Sequence, residues 1–298
     1  LGFQTLLLRI PEIIRIMSYK KLKTVIFPAA GLGTRFLPVT KASPKEMLPI
    51  VDKPLIQYAV EEAIEAGFEQ LVFVISPDKY AIRNHFESTS ELDEKLKIEA
   101  IIPANVSSIY IEQSAPLGLG HAIWCARDAI KAEPFAVVLP DDLIDGGTAG
   151  GCLLQMVRHY EKNGCGAIGI QKIALEETKQ YGIIEYEDEV GGSNRIATII
   201  EKPDPQFAPS LLGVVGRYIL PSAVMGQLEK TQKGSGNEIQ LTDGISALLG
   251  DCRIDGFQFK GQRYDCGSKI GYLKANVDYA LKHPELAKEF SAWLTTKQ

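Results

Sequence analysis

The sequence lacks the hallmarks of several protein classes. No stretch approaches the roughly 20 consecutive apolar residues that a membrane span requires, so we predict no membrane association. Its 32 Lys and Arg residues are outnumbered by 37 Asp and Glu residues, giving a net charge of −5, which argues against a nucleic-acid partner. The five cysteines are odd in number and form no CxxC pair, so neither a disulfide framework nor a zinc ribbon is predicted. Reduced thiols in a cytoplasmic protein are the simpler interpretation.

The composition is that of a globular chain, with 45% hydrophobic and 23% charged residues among 298. No repeat or low-complexity linker divides it, so one compact unit is favoured over two domains. Residues 1–16 resemble a targeting peptide only faintly, because Arg9 and Pro11 interrupt the apolar run. Met17 opens a segment typical of a cytoplasmic start. We therefore expect residues 1–16 to be upstream or vector-derived sequence.

Strands and helices alternate along the chain. Short apolar runs predict strands, and apolar residues at helical spacing predict the helices between them. This alternation predicts an α/β fold with a parallel sheet covered on both faces. After about residue 150 the strands are less regularly separated by helices, which predicts a mixed extension of the sheet; the stretch Glu87–Leu96 is predicted to be a surface excursion. The main predicted elements are strands over 24–29, 71–75, 109–112 and 135–139 and helices over 54–66, 120–131, 151–162 and 268–281.

The first predicted strand runs directly into a glycine turn at 29–35. It is not a Walker A loop, because the GK[ST] ending is missing, and it lacks the third glycine of a dinucleotide-binding fingerprint. The turn alone has about even odds of being a plain structural turn. The cations Arg35, Lys41 and Lys45 follow it closely, among three prolines. Such a cluster at the carboxyl end of a strand, in an acidic protein, favours a polyphosphate ligand.

Two segments resemble a known family. FPAAGLGTRFLPVTKASPKEMLPIVDKPLIQY at 27–58 and YDCGSKIGYLKANVDYALKHPEL at 264–286 are similar to the nucleoside-diphosphate-sugar pyrophosphorylases, and within them to the bacterial uridylyltransferase group. The Pro-Ala-Ala-Gly order at 28–31 differs from the Leu-Ala-Gly-Gly order usual in the related thymidylyltransferases. The resemblance extends from about Lys23 to Leu286.

The resemblance implies a fold and a reaction. The fold is a Rossmann-like α/β sheet, mixed but mostly parallel and flanked by helices, in one domain over 17–298. Its nucleotide-binding half covers about 23–150, and its sugar-binding and C-terminal helical half about 151–298. The reaction joins UTP and glucose 1-phosphate to give UDP-glucose and pyrophosphate. A sugar phosphate is already anionic, so the reaction needs charge neutralisation rather than a general base.

Site residues carry over from the family position by position. The resemblance implies Mg²⁺ as cofactor, with Asp141 and Asp265 as its ligands, although the role of the neighbouring Asp142 is left open. Arg35 is implied to hold the β and γ phosphates of UTP, Lys45 to neutralise the reacting phosphates and Lys202 to grip the sugar phosphate. A side-chain amide at Gln113 can pair with a donor and an acceptor on uracil. The remaining implied positions are, for the nucleotide, Ala30, Gly31, Gly33, Thr34 and Gly118, and for the sugar, Gly182 and Glu201.

Other interpretations remain open. A sibling enzyme could use another nucleotide, such as dTTP, or another sugar phosphate. A catalytically silent sugar-nucleotide-binding subunit is disfavoured, because such a relative is expected to lose the carboxylates and cations that this chain keeps. The four histidines form no motif and are interpreted as structural or exposed. Asn237-Glu238 and Thr242-Asp243 resemble a family motif that supports the site. A homo-oligomer, tetramer or dimer, is implied, with helices around 275–293 contributing contacts.

Overall fold

The computed structural model describes residues 19–87, 100–187 and 192–297. The predictions for residues 1–16, for Met17 and for nearly all of the excursion at 87–96 lie outside these ranges. The described strands are β1 Thr24–Pro28, β2 Pro49–Ile50, β3 Lys53–Pro54, β4 Gln70–Ile75, β5 Ser107–Glu112, β6 Phe135–Val138, β7 Asp142–Asp145, β8 Gly166–Lys172, β9 Gly182–Tyr186, β10 Ile196–Glu201, β11 Leu212–Leu220, β12 Ile254–Gln258 and β13 Gln262–Asp265.

Helices cover the sheet and extend beyond it at the C-terminal end of the described chain. Among those described, none combines the length and apolar character that crossing a bilayer requires. They are α1 Leu55–Glu65, α2 Tyr80–Glu87, α3 Leu119–Cys125, α4 Arg127–Ile130, α5 Cys152–Asn163, α6 Val224–Lys230, α7 Leu241–Ser246, α8 Lys269–Ala280 and α9 Ala287–Thr295.

The central sheet is mixed, with a parallel core. Its strand order is β10-β9-β11-β6-β1-β4-β5, and β8 and β12 extend it from β11. Strands β6, β1, β4 and β5 are parallel, whereas β11 runs antiparallel to β6 and to β9. The predicted α/β fold with a mixed extension is therefore confirmed. The parallel core brings the carboxyl ends of four strands to one edge of the sheet, where open α/β sheets bind ligands.

Both faces of the sheet are buried, as the continuous apolar strands predict. Val25 and Phe27 of β1 point into one core cluster with α1 and α5, and Ile26 between them points into a second cluster with α3 and α7. This alternation follows from the two-residue period of a strand. Phe27 lies opposite Phe73 of β4, and their rings stack at 5.1 Å between centroids.

The structure differs from the sequence-based prediction in two respects. The helix expected over 120–131 is divided into α3 and α4 at Ala126. Strands β7 and β13 were not predicted; they pair with each other in a separate two-stranded antiparallel sheet. That small sheet connects the middle of the chain with its C-terminal part.

Candidate active site

The glycine turn lies at the carboxyl end of β1, in the middle of the parallel core. Gly33 has a φ of +65°, a left-handed conformation that glycine adopts without strain, and a Cβ there would come within 3.3 Å of the Lys45 side chain. Beside the turn is a cavity of about 470 Å³, which we call the first cavity. The predicted residues that line it are Ala30, Gly31, Gly33, Thr34, Lys45, Gln113, Gly118 and Asp141.

A buried ion pair supports the glycine turn from behind. The Lys79 ammonium donates to the carbonyl oxygens of Ala29 and Gly31, at 2.6 Å each, and to the Glu46 carboxylate at 2.8 Å. Both side chains are buried. Burial lowers the pKa of Lys79 and raises that of Glu46. The pair therefore fixes two carbonyl groups of the turn in place.

Lys45 forms an ion pair with Asp141 at the floor of the first cavity. Burial alone would lower the pKa of Lys45, but the carboxylates of Asp141 and Glu46 outweigh it and raise that pKa. Burial alone would raise the pKa of Asp141, and the Lys45 ammonium outweighs it and lowers the pKa. Both groups are thus charged at neutral pH.

The strand pair β7–β13 brings Asp265 beside Asp141. Asp265 is directly opposite Asp142 in the register, and the backbone N–H of Cys266 donates to the Asp141 carbonyl at 2.9 Å. Burial, followed by the charges of Asp142 and Asp141, raises the pKa of Asp265. Two predicted metal ligands that are far apart in sequence are therefore neighbours.

Asp142 has a different environment from Asp141. Its carboxylate accepts hydrogen bonds from the Arg263 guanidinium at 2.6 Å and from the backbone N–H of Gly216 at 2.6 Å. The side chains of Asp142 and Arg263 are both buried. Asp142 is thereby engaged in holding β7, β13 and β11 together, which favours Asp141 over Asp142 as the residue that faces a ligand.

The carboxylates of Asp141 and Asp265 border a small space next to Gly267. A Cβ on Gly267 would lie 3.0 Å from Asp265 Oδ1 and 3.1 Å from Asp141 Oδ2, so any larger residue would fill that space. Two carboxylates that lie this close repel each other, and they supply the hard oxygen ligands that Mg²⁺ prefers. The residues present therefore fit a divalent cation.

A second cavity, of about 240 Å³, lies at the start of β9, the end of β10 and the middle of β11. Glu201 and Lys202 line it, with 3.1 Å between Lys202 Nζ and Glu201 Oε1. The Thr242 hydroxyl donates to the other Glu201 oxygen at 3.0 Å. A Cβ on Gly182 would come within 2.9 Å of the Thr242 side chain, so the chain approaches closely there. Lys202 has a φ of +46°, a conformation uncommon for a residue with a side chain.

Arg35 lines the second cavity rather than the first. It is exposed, and its guanidinium donates to the Gly267 carbonyl at 3.5 Å. This cation at the end of the glycine turn therefore lies next to the two carboxylates that surround Gly267. The two cavities share four lining residues, and Asp141 is one of them; the others are Leu119, Leu139 and Glu238.

Gln113 follows β5 and is 5% exposed at the wall of the first cavity. Its amide nitrogen lies 3.2 Å from the Gly118 carbonyl and 2.8 Å from His121 Nδ1. Within the described ranges, these two contacts use the amide nitrogen fully. In this conformation only the amide oxygen is left to contact a base, whereas the prediction used both the oxygen and the nitrogen.

Residues 23–282 match the family model described as Nucleotidyl transferase. The chain belongs to this family. It is 46% identical to UTP–glucose-1-phosphate uridylyltransferase of Bacillus subtilis over 276 residues, which cover 90% of this chain and 94% of that protein. A UDP-glucose pyrophosphorylase solved with UDP-glucose is 44% identical, with a TM-score of 0.82, covering 88% of this chain and 100% of the other. A UTP-bound UGPase from Acinetobacter baumannii is 40% identical, with a TM-score of 0.84 and coverages of 92% and 99%. The resemblance and the fold are confirmed.

Several residues around the site of this nucleotidyl transferase were missed by the sequence analysis. Lys79 donates to Gly31, His121 contacts Gln113, and Arg263 donates to Asp142. None of the three belongs to a motif that predicted the site. Lys79 could have been noticed as a cation just beyond the carboxyl end of β4. Glu238 and Thr242, from segments expected to support the site, do lie at the cavities. The assigned roles of individual residues stay predictions.

Proposed function

We propose that this chain joins UTP and glucose 1-phosphate, giving UDP-glucose and pyrophosphate by in-line attack of the sugar phosphate on the α-phosphorus. One observation carries the proposal: the cavity at the glycine turn and the cavity at Glu201-Lys202 meet at Asp141. Two substrates bound in these cavities would bring their phosphates together at that residue. The names of the relatives described above support the same substrates.

The first cavity is proposed to bind UTP. Backbone groups of Ala30, Gly31 and Gly118 surround the base together with the Gln113 side chain. Gly33 and Thr34 lie along the phosphates, where a glycine lets backbone N–H groups approach an anion closely. These residues orient the nucleotide and perform no proton transfer.

The second cavity is proposed to bind glucose 1-phosphate. Lys202 grips the sugar phosphate, and its 3.1 Å contact with Glu201 places a cation and a carboxylate side by side. The Glu201 carboxylate accepts hydrogen bonds from glucose hydroxyls, and the Gly182 backbone contacts the ring. A charge-assisted contact with phosphate supplies more free energy than a neutral hydrogen bond, which suits Lys202 to hold the attacking group.

Charge neutralisation is proposed as the main source of catalysis. The attacking phosphate oxygen is anionic at neutral pH, so no residue has to remove a proton from it. Lys45 moves from its pair with Asp141 to the reacting phosphates, and Arg35 holds the β and γ phosphates that leave as pyrophosphate. Cations placed beside the reacting phosphates stabilise the negative charge of such a transition state.

Asp141 and Asp265 are proposed to hold Mg²⁺ in the space beside Gly267. When bound, the ion neutralises negative charge on the phosphates of both substrates. Asp141 and Asp265 each direct one carboxylate oxygen to that space, and the Lys45 ammonium lies beside it as the partner of Asp141.

We further propose a cytoplasmic homo-oligomer, a dimer or tetramer, with one domain over 17–298. The half from about 23 to 150 supplies most of the nucleotide cavity, and the half from about 151 to 298 most of the sugar cavity. An apolar face on α8 supports self-association. Its exposed side chains recur at helical spacing: Ile270, Leu273, Val277 and, just beyond the helix, Leu281.

The test is pyrophosphate release with glucose 1-phosphate and Mg²⁺, comparing UTP with dTTP, CTP, ATP and GTP. We expect turnover with UTP to exceed that with the other nucleotides and to stop when EDTA removes the metal. Release with dTTP alone would assign the chain to a thymidylyltransferase activity instead. No release with any nucleotide, despite binding of UDP-glucose, would favour a silent sugar-nucleotide-binding subunit.

A further inference from the structure

The orientation of the Gln113 amide is determined by its two neighbours. A carbonyl oxygen can only accept a hydrogen bond, so the amide atom 3.2 Å from the Gly118 carbonyl must be the NH₂ group. The same nitrogen lies 2.8 Å from His121 Nδ1. Its two hydrogens are therefore directed to Gly118 and to His121, one to each.

This arrangement requires a particular tautomer of His121. Nδ1 must be unprotonated to accept from Gln113, so the ring proton is on Nε2. Burial lowers the pKa of His121, which favours the neutral ring. The Cys125 sulfur lies 3.7 Å from the same Nδ1, and burial raises the pKa of that thiol. The same sulfur lies 3.9 Å from Nε2, so the Gln113 contact, and not the thiol, assigns the tautomer.

Only the Gln113 amide oxygen is then available to a ligand. Its side-chain hydrogen bonds within the described chain are the two that its nitrogen makes. Gln113 lines the first cavity, whereas His121 is not among the described residues that do so. A base in this cavity consequently meets a hydrogen-bond acceptor at Gln113.

We infer that His121 is a positioning residue that sets base specificity, because it holds the Gln113 oxygen toward the base as a fixed acceptor. The inference rests on the proposed contact between Gln113 and the base. Uracil carries one ring donor on its pairing edge, N3–H, which such an acceptor selects. Cytosine carries its donor on the exocyclic N4 and an acceptor at N3, so in the same position its N3 would face the Gln113 oxygen without a hydrogen. Thymine has the same N3–H as uracil, so this pair does not separate UTP from dTTP.

The experiment compares kcat/KM for UTP, CTP and dTTP in the wild type, His121→Leu and His121→Asn. In the wild type we expect CTP to be at least about a hundredfold poorer than UTP, as for sites that hydrogen-bond a group the competitor lacks. His121→Leu removes the shorter of the two contacts and leaves the amide nitrogen only its 3.2 Å contact with the Gly118 carbonyl. The amide is then held less firmly, so the ratio of UTP to CTP falls about tenfold. Asn places an amide oxygen near the position of Nδ1, so His121→Asn keeps most of the ratio.

The accompanying readouts separate positioning from general structural damage. In His121→Leu the ratio of UTP to dTTP and the KM for glucose 1-phosphate stay unchanged, and the KM for UTP rises. His85→Leu is the matched control, because His85 contacts the Gln57 amide at 2.9 Å but does not line the first cavity. It leaves the ratio of UTP to CTP unchanged.

Three outcomes overturn the inference. They are an unchanged ratio of UTP to CTP in His121→Leu, an equal fall in His121→Asn and His121→Leu, and a parallel change in His85→Leu. Failure of the proposed function looks different, because the wild type itself would then release no pyrophosphate from UTP. The two failures are therefore distinguishable within one set of measurements.

Discussion

At the scale of single residues, Asp141 lies where the two cavities meet. It lines both cavities, forms an ion pair with Lys45 and borders the same space as Asp265. Its neighbour Asp142 is equally acidic but is bound by Arg263 and by the Gly216 backbone. A difference of one position along the chain thus separates a carboxylate that lines both cavities from one that is held in a buried ion pair and lines only the second.

Asp141→Asn is expected to abolish most turnover while UTP binding weakens only modestly. The amide is a poor Mg²⁺ ligand and cannot pair with Lys45 as a carboxylate does, whereas most contacts to the nucleotide lie elsewhere in the first cavity. Loss of an electrostatic group of this kind lowers kcat by about a thousandfold. Steady-state kinetics at saturating Mg²⁺, with calorimetric titration of UTP, measures both quantities.

Asp145→Asn is the matched control for this change. Asp145 is on the same short strand, β7, and pairs with Lys282 at 2.5 Å outside both cavities. Its substitution is expected to leave kcat within about twofold of the wild type, since exposed ion pairs contribute little. Turnover of Asp141→Asn close to that of Asp145→Asn would contradict the metal assignment.

At the scale of elements, the sequence predicted those strands that are long enough to show a continuous apolar run. The continuous apolar run at 71–75 predicted β4 well, because a buried parallel strand is apolar on both faces. Strands β7 and β13 have four residues each, with polar or charged ends and little periodicity. Their pairing joins segments more than 100 positions apart. The proximity of Asp141 and Asp265 therefore came from the family resemblance and not from any local pattern.

The glycine turn shows the same limit. Its glycines and the prolines that follow were visible in the sequence, but its support by Lys79 was not. Likewise, Gln113 was singled out as a base contact, whereas the contact of its amide with His121 depends on how β5 and α3 pack. A sequence thus shows residues whose local pattern indicates ligand binding. The residues that hold them in position come from distant segments and become visible only in the packed structure.

Lys79→Met tests whether the buried pair positions the turn. The change leaves the Glu46 carboxylate buried without its partner and two carbonyl groups without a donor. We expect the free energy of unfolding to fall by about 3–5 kcal/mol. The KM for UTP should rise as the turn loses its fixed position. Urea denaturation measures the free energy of unfolding, and kinetics with UTP under conditions in which the variant is folded measure the KM.

The double variant Lys79→Met/Glu46→Leu separates stability from positioning. Replacing both members of a buried pair by apolar residues often restores stability. The carbonyl groups of Ala29 and Gly31 still lack their donor, so the KM for UTP stays raised. Recovery of the KM together with stability would show that Lys79 has no positioning role.

At the scale of the whole molecule, one sheet and its two buried faces account for most of the described core, and α8 lies outside this arrangement. The helix packs against β13 through Ala275, while Ile270 and Leu273 are 62% and 58% exposed. Leu273 also borders an apolar groove with Phe36 and Val39, which follow the glycine turn. An association through this face would therefore lie close to the site.

Leu273→Asp is expected to shift the chain from an oligomer to a monomer in sedimentation velocity at micromolar concentration. A charge placed in the middle of an apolar contact must be buried without a partner, which weakens association by at least about a hundredfold. Phe207→Asp is the control, because Phe207 is 69% exposed on a turn outside α8. It should leave the sedimentation coefficient unchanged. A wild-type monomer, or an oligomer that survives Leu273→Asp, would rule out self-association through the apolar face of α8.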